Sequence, residues 1–510
     1  MPPPSHLIGI DCGSSVVKAA LFDPEGRELG VATAGFETDH PAPDRVEYDP
    51  QTLWETTCLA LRQLAAKHPQ LSATNTALAV TGAGNGLTLI DAHGKAVRPG
   101  ILAVDGRAAG EPFPSEDFPT RARAIHGQGV WPGQSIELLR WMRAHEHTAL
   151  DQARYVFALK DYIKWRLTGV FRSDISELGK MGLIDLERPE TTDRLLALYG
   201  LESIAEKIPP AGASSEVIGR LGEAAANATH LPAGIPVVNG LADIDASAVG
   251  AGAVRAGQLS VVAGTWSINQ LFTSQPANRD TIFGTSRHAV EGIWEELEAS
   301  ASSTANLTWY VREFCGDLEA NAKAVGRSVY DRVNELVATI PPASTPVFFH
   351  PYLYGSNTKA NARAGFYGLA GGQTRAHQLA ALFEGVVFSH AVHIEKLLAG
   401  GSPADEIRLS GGAARSGLWS QMFADVFGIP VAIPEATEVG ALGAAICAAA
   451  GTGVHADVPE AADAMCAIAR RHDPNPELTP RYAKRFEAFK RITDWMGPVW
   501  DELDRTFQNH

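Results

Sequence analysis

The sequence predicts an α/β protein of two related domains facing one cleft. Three observations carry this. A small-residue hairpin stands near the N terminus, strand and helix patterns alternate behind it, and a second hairpin of the same kind opens at residue 258. In the first hairpin an apolar run over 7–10 ends in Asp11, Gly13, Ser14 and Ser15 follow, and a second apolar run covers 16–22. Such a turn lets backbone N–H groups approach a phosphate unobstructed, and a carboxylate at its mouth suits a hard divalent cation. Turn chemistry alone is the competing account of Asp and Gly at this spacing. The sequence has no G-x-x-x-x-G-K-[ST], and no G-x-G-x-x-G opens a helix after a strand.

The remaining elements follow in order. A third strand is predicted over 27–36. Asp49 and Pro50 then make the cap and first position of a helix whose apolar face carries Leu53, Trp54, Cys58, Leu61, Leu64 and Ala65. A strand over 76–81 ends in the loop 82–86. Another strand covers 87–91, with a turn at His93 and Gly94, and a short strand over 101–104 ends at Asp105. Helices are expected at 135–145 and 160–167, the second stopped by Gly169. The last strand of this half, 236–239, runs into Asp243, Asp245 and a small-residue helix. The second half restarts with strands over 258–263 and 268–273 around Gly264, Thr265, Trp266 and Ser267. A long amphipathic helix over 374–398, a strand over 407–410, the pair Gly411–Gly412, a helix carrying Trp419, Met422, Phe423 and Val426, and a small-residue helix over 438–446 complete the pattern. Gly440 and Gly443 let another surface come close to that helix, either a packing partner or an adenine ring. The domains are placed at 1–252 and 253–510.

Composition narrows the function classes. With 510 residues, 45% hydrophobic and 20% charged, the chain is globular and long enough for two domains. A net charge of −15 argues against nucleic acid or an anionic membrane as a partner. Cys12, Cys58, Cys315, Cys447 and Cys466 form no C-x-x-C pair and read as reduced thiols of a cytoplasmic protein. The tail Met1–Ser5 lacks the pattern of a secretion signal, and no apolar run reaches the ~18 residues of a membrane span. The H-x-x-H of His390 and His393 lacks further zinc ligands, His145 and His147 flank Glu146 in a charged segment, and no G-x-S-x-G elbow exists.

The first hairpin is similar to the first phosphate loop of the actin, hexokinase and Hsp70 group of ATPases. Five segments in order resemble the FGGY carbohydrate kinase family: Asp11-Cys-Gly-Ser-Ser, Gly240-Leu-Ala-Asp, Gly264-Thr-Trp-Ser, Gly365-Phe-Tyr-Gly-Leu and Gly411-Gly-Ala-Ala-Arg-Ser. The segments starting at His350, Phe383 and Gly451 bring the chain closest to the L-xylulose and 3-keto-L-gulonate kinase branch. The resemblance implies two ribonuclease H-like domains around a central cleft, the first on the sugar and base side, the second on the ATP side. It implies ATP-dependent phosphorylation of a free sugar hydroxyl with ATP and Mg²⁺, on a ketopentose or keto-sugar acid. D-xylulose, ribulose or erythritol as substrate, and a nucleotide-regulated sugar sensor without catalysis, are the alternatives. A homodimer is compatible with this reading.

The resemblance also assigns residues. Asp243 is the general base, with Asp245 as its rival; either could instead cap the following helix. Asp11, with Asp243, positions Mg²⁺. Gly13, Ser14, Ser15, Gly264 and Thr265 meet the phosphates, Gly411, Gly412 and Ala413 border the adenine, and Ser416 sits beneath it as a helix cap. Asn85, Gly86 and Asp105 join Asp243 around the sugar. The loop 83–86 lacks the Arg-Glu pair by which glycerol kinases grip glycerol, and its small residues leave room for a longer polyol or ketose. Asn85 offers a donor and an acceptor to hydroxyls. Asp105 is equally readable as the ion-pair partner of Arg107, and Trp131 either stacks on a sugar face or packs. Lys18 is expected to face solvent.

Overall fold

The hairpin at the N terminus forms where the apolar runs place it. In the computed structural model, which describes residues 3–72, 75–189, 192–276, 280–357, 359 and 361–508, β1 (His6–Cys12) pairs antiparallel with β2 (Val16–Phe22) and sets Asp11 opposite Lys18. Met1 and Pro2 of the tail lie outside the described residues. β3 (Glu28–Gly35) extends the hairpin, and β4 (Thr76–Gly82) runs parallel to β1 on its other side. With β5 (Val217–Arg220) and β6 (Pro236–Val238) they form a six-stranded sheet in the order β5-β6-β4-β1-β2-β3. Every residue of β4 is buried, as a strand covered on both faces requires.

Period-two alternation sorts the side chains between two layers. Ile8, Ile10 and Val80 join one core with α1 (Pro50–Lys67) and α2 (Leu159–Thr168). Asp49 caps α1, accepting from the N–H groups of Gln51 and Thr52 at 3.1 and 3.2 Å, and Gly169 ends α2 with φ 73°. A short helix, α3 (Ile175–Lys180), follows on a cap by Asp174. On the other face Leu7 and Ala79 pack with α4 (Asp243–Gly250) and the helix Val439–Gly451. The small residues of that helix serve this packing. A Cβ added to Gly9 would stand 1.8 Å from the Ala441 carbonyl oxygen, and one added to Gly443 would stand 2.0 Å from that of Ala246. The helix therefore lies directly on β1 and α4, and it ends five residues beyond the end its sequence pattern suggests.

The second half repeats the grammar. β7 (Gln258–Ala263) and β8 (Ser267–Thr273) are antiparallel, β9 (Glu406–Ser410) runs parallel to β7, β10 (Val431–Pro434) parallel to β9, and β11 (Ile468–His472) antiparallel to β10. α5 (Arg375–Leu398) and α6 (Gly417–Phe427) are joined by the stacked rings of Phe383 and Trp419, with centroids 4.0 Å apart, and by the indole N–H donating to the Phe383 carbonyl at 3.1 Å.

Two details differ from expectation. The strand over 101–104 is only Gly100–Ile101, because a turn in which the Asp105 N–H donates to the Leu102 carbonyl at 3.0 Å bends the chain away. The division is also not one cut at 252. One compact unit comprises Met1–Ala256, Phe272–Glu296 and Glu435–Ala467, and the other Gly257–Leu271, Leu297–Pro434 and Ile468–His510. The return of 435–467 to the first unit is the packing of Val439–Gly451 on β1.

Candidate active site

In the first unit the turn after β1 is held by the Gly13 N–H donating to the Val16 carbonyl and by the Phe36 N–H donating to that of Ser15, both at 2.9 Å. Gly13 is half-buried, and Ser14 and Ser15 are exposed. Asp11 closes β1 beneath this turn. Its Oδ2 lies against the helix Val439–Gly451, 2.9 Å from where a Cβ on Gly440 would stand. Burial, and then the charge of Asp243, push the Asp11 carboxyl up to about 6, with Lys18 opposing and Glu438 adding. Lys18 is not a free solvent-facing side chain: its Nζ reaches Glu438 Oε2 at 2.7 Å. The sequence pattern hides this pair because its members lie 420 positions apart.

The two rival aspartates separate clearly. Ala242 is the N-cap residue of α4, and Asp243 is the first helical residue, half-buried, with its Oδ1 accepting from the Ile244 N–H at 2.8 Å. The same oxygen lies 3.4 Å from where a Cβ on Gly84 would stand, so Asp243 borders the loop after β4. Burial raises its pKa, against the N–H groups of Ile244 and Gly84 and the charge of Lys180. Asp245 is fully buried and lies 3.3 Å from Lys180 Nζ, which also meets Glu295. Burial and the Glu295 charge hold its carboxyl well above the usual range.

The loop after β4 is fixed by a residue that motif reading passes over. Glu177 on α3 accepts the Asn85 N–H at 3.3 Å, and Asn85 holds a left-handed φ of 62°. The Asn85 amide oxygen accepts from the Ser135 N–H at 3.3 Å, and the Ser135 hydroxyl donates to the Gly86 carbonyl at 2.9 Å. One lone pair of the acceptor that Asn85 would offer a hydroxyl is therefore in use, and Gly86 is buried. Glu177 is itself fully buried, above a cluster in which Lys160 Nζ meets Asp174 at 2.7 Å and Asp161 at 2.9 Å. A lone Glu in a short helix carries no sequence signal for this role.

Asp105 takes the ion-pair alternative. Its carboxylate accepts from Arg107 Nε and Nη2, both at 2.8 Å, from the Arg107 N–H at 2.9 Å and from the Val46 N–H at 2.7 Å. Against the burial that would raise it, the Arg107 guanidinium holds this carboxyl below its usual value. At 1% exposure and with four donors upon it, Asp105 has no acceptor left to offer a sugar, which corrects its assignment to the substrate. Trp131 is half-buried, 6.5 Å from the Phe283 ring.

In the second unit Gly264 and Thr265 form the turn between β7 and β8, with Thr265 exposed. The Gly264 carbonyl accepts from the Thr304 N–H at 2.9 Å and hydroxyl at 2.7 Å, and the Thr265 carbonyl accepts from the Ser303 N–H at 3.1 Å. Gly411 follows β9 with φ 86°, and Ala413 is buried in the short turn of helix after it. Ser416 caps α6, its Oγ accepting from the Trp419 N–H at 3.1 Å and donating to Asn334 at 2.6 Å. A cavity of about 350 Å³ opens here, lined by Thr304, Tyr330, Asn334, Gly412, Ser416 and Trp419 among others. Its volume and its mixture of backbone, aromatic and amide groups suit a planar heterocycle.

Among the described residues no three His, Cys, Asp or Glu side chains cluster as a metal-ligand set. Mg²⁺ asks less, since it keeps several waters and takes one or two carboxylates beside substrate phosphates. Asp11 and Asp243, near enough for the charge of Asp243 to raise the Asp11 carboxyl, are two carboxylates of that kind. Among the described residues no helix is long and apolar enough to cross a membrane.

Comparison with known proteins gives one answer across the chain. Residues 6–250 match the N-terminal domain of the FGGY family of carbohydrate kinases, and residues 259–452 match its C-terminal domain. The L-xylulose/3-keto-L-gulonate kinase of Escherichia coli K12 is 32% identical over 493 residues, covering 96% of each chain. A probable L-xylulose kinase of Pasteurella multocida is 31% identical over 493 residues, 96% of this chain and 98% of that one. Among solved structures, a xyloylose kinase from Brucella ovis superposes with a TM-score of 0.84 at 27% identity, over 97% of this chain and 100% of that one. The actin- and hexokinase-like α/β fold expected from the sequence is the fold found.

Proposed function

Since this chain belongs to the FGGY family of carbohydrate kinases and is an ATP-dependent sugar kinase, we propose that it transfers the γ-phosphoryl group of ATP to a hydroxyl of a free ketopentose or keto-sugar acid, L-xylulose or 3-keto-L-gulonate first. The names of its relatives and the small residues of the loop at 83–86 support this choice of substrate.

The observation that carries the mechanism is the contrast between Asp243 and Asp245. Asp243 is half-buried at the start of α4 beside Gly84, whereas Asp245 is sealed against Lys180. In this reading the Asp243 carboxylate takes the proton of the substrate hydroxyl, and the oxygen so freed bonds to the γ-phosphorus as ADP leaves. The raised pKa of Asp243 brings it nearer the working pH and makes it a better proton acceptor. Ser14 and Ser15 in the first unit, and Thr265 in the second, offer donors to phosphate oxygens, which is positioning and charge stabilisation, while the N–H groups of Gly13 and Gly264 are spent on the Val16 and Trp266 carbonyls and shape the two turns. Asp11 and Asp243 would hold Mg²⁺, which supplies charge neutralisation on the phosphates when bound. Gly412 and Ser416 line the cavity on its nucleotide side with exposed Gly411 beside them, whereas Ala413 is completely buried behind them, which corrects its placement against the adenine. The five free thiols fit a cytoplasmic setting.

A coupled ADP-release assay over L-xylulose, 3-keto-L-gulonate, D-xylulose, ribulose, erythritol and glycerol tests this. The highest kcat/KM is expected on one of the first two. Glycerol leading the panel would overturn the substrate argument, and silence on every compound despite measurable ATP binding would turn the reading into that of a sensor.

A further inference from the structure

The two histidines of the H-x-x-H on α5 have separate uses, and one of them reaches the nucleotide side. His390 is completely buried, and both its ring nitrogens are engaged. Nδ1 lies 2.7 Å from Asn269 Oδ1 and 3.1 Å from the Ser267 hydroxyl, and Nε2 lies 2.9 Å from the Ser303 hydroxyl. The network fixes the tautomer. The Asn269 amide nitrogen donates to Ser267 Oγ at 3.1 Å and to the Glu298 carbonyl at 3.4 Å, so the amide oxygen faces the imidazole. Nδ1 therefore carries the proton, and Nε2 accepts from the Ser303 hydroxyl. Burial, with His393 adding, brings the pKa down to about 3, so the ring is neutral at working pH.

Ser303 passes this order to the turn. Its hydroxyl is fixed by His390 while its N–H holds the Thr265 carbonyl, and Thr304 beside it holds the Gly264 carbonyl twice. A trans peptide is planar, with C=O and N–H on opposite sides. Anchoring the two carbonyls toward Ser303 and Thr304 therefore aims the N–H groups of Thr265 and Trp266 the other way. That is the orientation a phosphate-binding turn needs.

We propose that His390 is a positioning residue for the nucleotide phosphates, holding the turn at Gly264 and Thr265 in its binding shape through Ser303. The proposal rests on the reading of that turn as the phosphate contact. His393, one turn of α5 further on, is nearly as buried and pairs with Glu298 at 2.7 Å, so it serves as a matched control.

The experiment is calorimetric binding of ADP and of AMP to the full chain and its variants. His390→Gln is expected to weaken ADP binding about tenfold while AMP changes by less than about twofold, because only ADP carries the outer phosphate. Ser303→Ala should do the same from the other end of the bond, and the double variant should be no worse than the stronger single one. His393→Gln should leave both ligands within about twofold of the parent. Should His390→Gln fail to fold, Ser303→Ala reads the same link. ADP affinity unchanged in His390→Gln or, failing that variant, in Ser303→Ala, while Thr265→Pro, which removes the Thr265 N–H, weakens it, would overturn the role of His390 alone. ADP affinity unchanged in Thr265→Pro as well would overturn the reading of the turn. Equal losses for ADP and AMP would mark His390 as a general structural support.

Discussion

Asp11 owes its place to Gly440. The carboxylate at the end of β1 occupies the space where any side chain on that helical glycine would begin, 2.9 Å from the position of its Cβ. Both residues belong to the first unit, and the contact ties the acidic group under the turn of Gly13, Ser14 and Ser15 to a helix more than 400 residues later in the chain.

Gly440→Ala should therefore uncouple function from stability. The added methyl meets the far end of a flexible side chain, which moves aside at little cost, and Ala is better than Gly inside a helix by up to about 1 kcal/mol. The midpoint of urea unfolding is expected to stay level or rise slightly. The Mg²⁺ concentration giving half-maximal kinase rate should rise several-fold, because Asp11 has been turned. An unfolding midpoint that drops sharply with an unchanged Mg²⁺ requirement would place the importance of Gly440 in packing.

Asp243→Asn and Asp245→Asn should differ in kind. Loss of a general base costs about 10²- to 10⁴-fold in turnover, and Asp243→Asn should show this in kcat while still binding ATP. Asp245→Asn replaces a buried carboxyl whose raised pKa already favours its neutral form, so kcat within about tenfold of the parent is expected. Steady-state kinetics and nucleotide binding on the same preparations decide between them; Asp245→Asn as the crippling change would reverse the assignment.

Asp11 also makes ligand-free stability depend on pH. Its folded pKa of about 6 stands above the unfolded value, so its contribution to stability is fully present below about pH 4 and is lost as pH rises through 6. Asp11→Asn removes that loss. Discounting for the partial exposure of the group, the ligand-free variant should be more stable than the parent at pH 8 by roughly 1–2 kcal/mol, and the gap should narrow at pH 5. Urea unfolding at the two pH values measures it. A gap that widens toward acid would have the opposite sign and exclude this account.

Asp105→Asn should cost stability, not sugar affinity. Removing one partner of a buried ion pair leaves the Arg107 charge uncompensated, a penalty of about 3–5 kcal/mol. Glu47, which also meets Arg107 Nη2 at 2.6 Å, keeps part of the compensation, so the lower end is expected. Denaturant unfolding gives the loss. A stable variant with a raised KM for the sugar would return Asp105 to the substrate.

Much of this was legible in the chain. The alternation around Asp11, the Asp49–Pro50 helix start, the glycine stop at 169 and the second hairpin at 258 all formed within a residue or two of their expected places. The family was legible as a set of motifs in order, and Ser416 caps its helix as the sequence suggested. The fate of individual charges was not. Asp243 and Asp245 are two residues apart and chemically identical, yet one borders a loop and the other is sealed beside Lys180. Lys18 and His390 likewise took their partners from distant parts of the chain, whereas the Asp105–Arg107 pair was one of two readings the sequence left open.

The sequence by itself determined where strands and helices begin, which turns carry small residues, and which family the chain resembles, because these depend on neighbours two to four positions away. Tertiary structure alone decided which of two neighbouring carboxylates stays half-buried at a helix start, which is sealed beside a lysine, and which buried histidine is bonded to the serine that holds the Thr265 carbonyl. Burial and Coulomb fields are set by residues tens to hundreds of positions distant, and they exist only once the sheets and helices have packed.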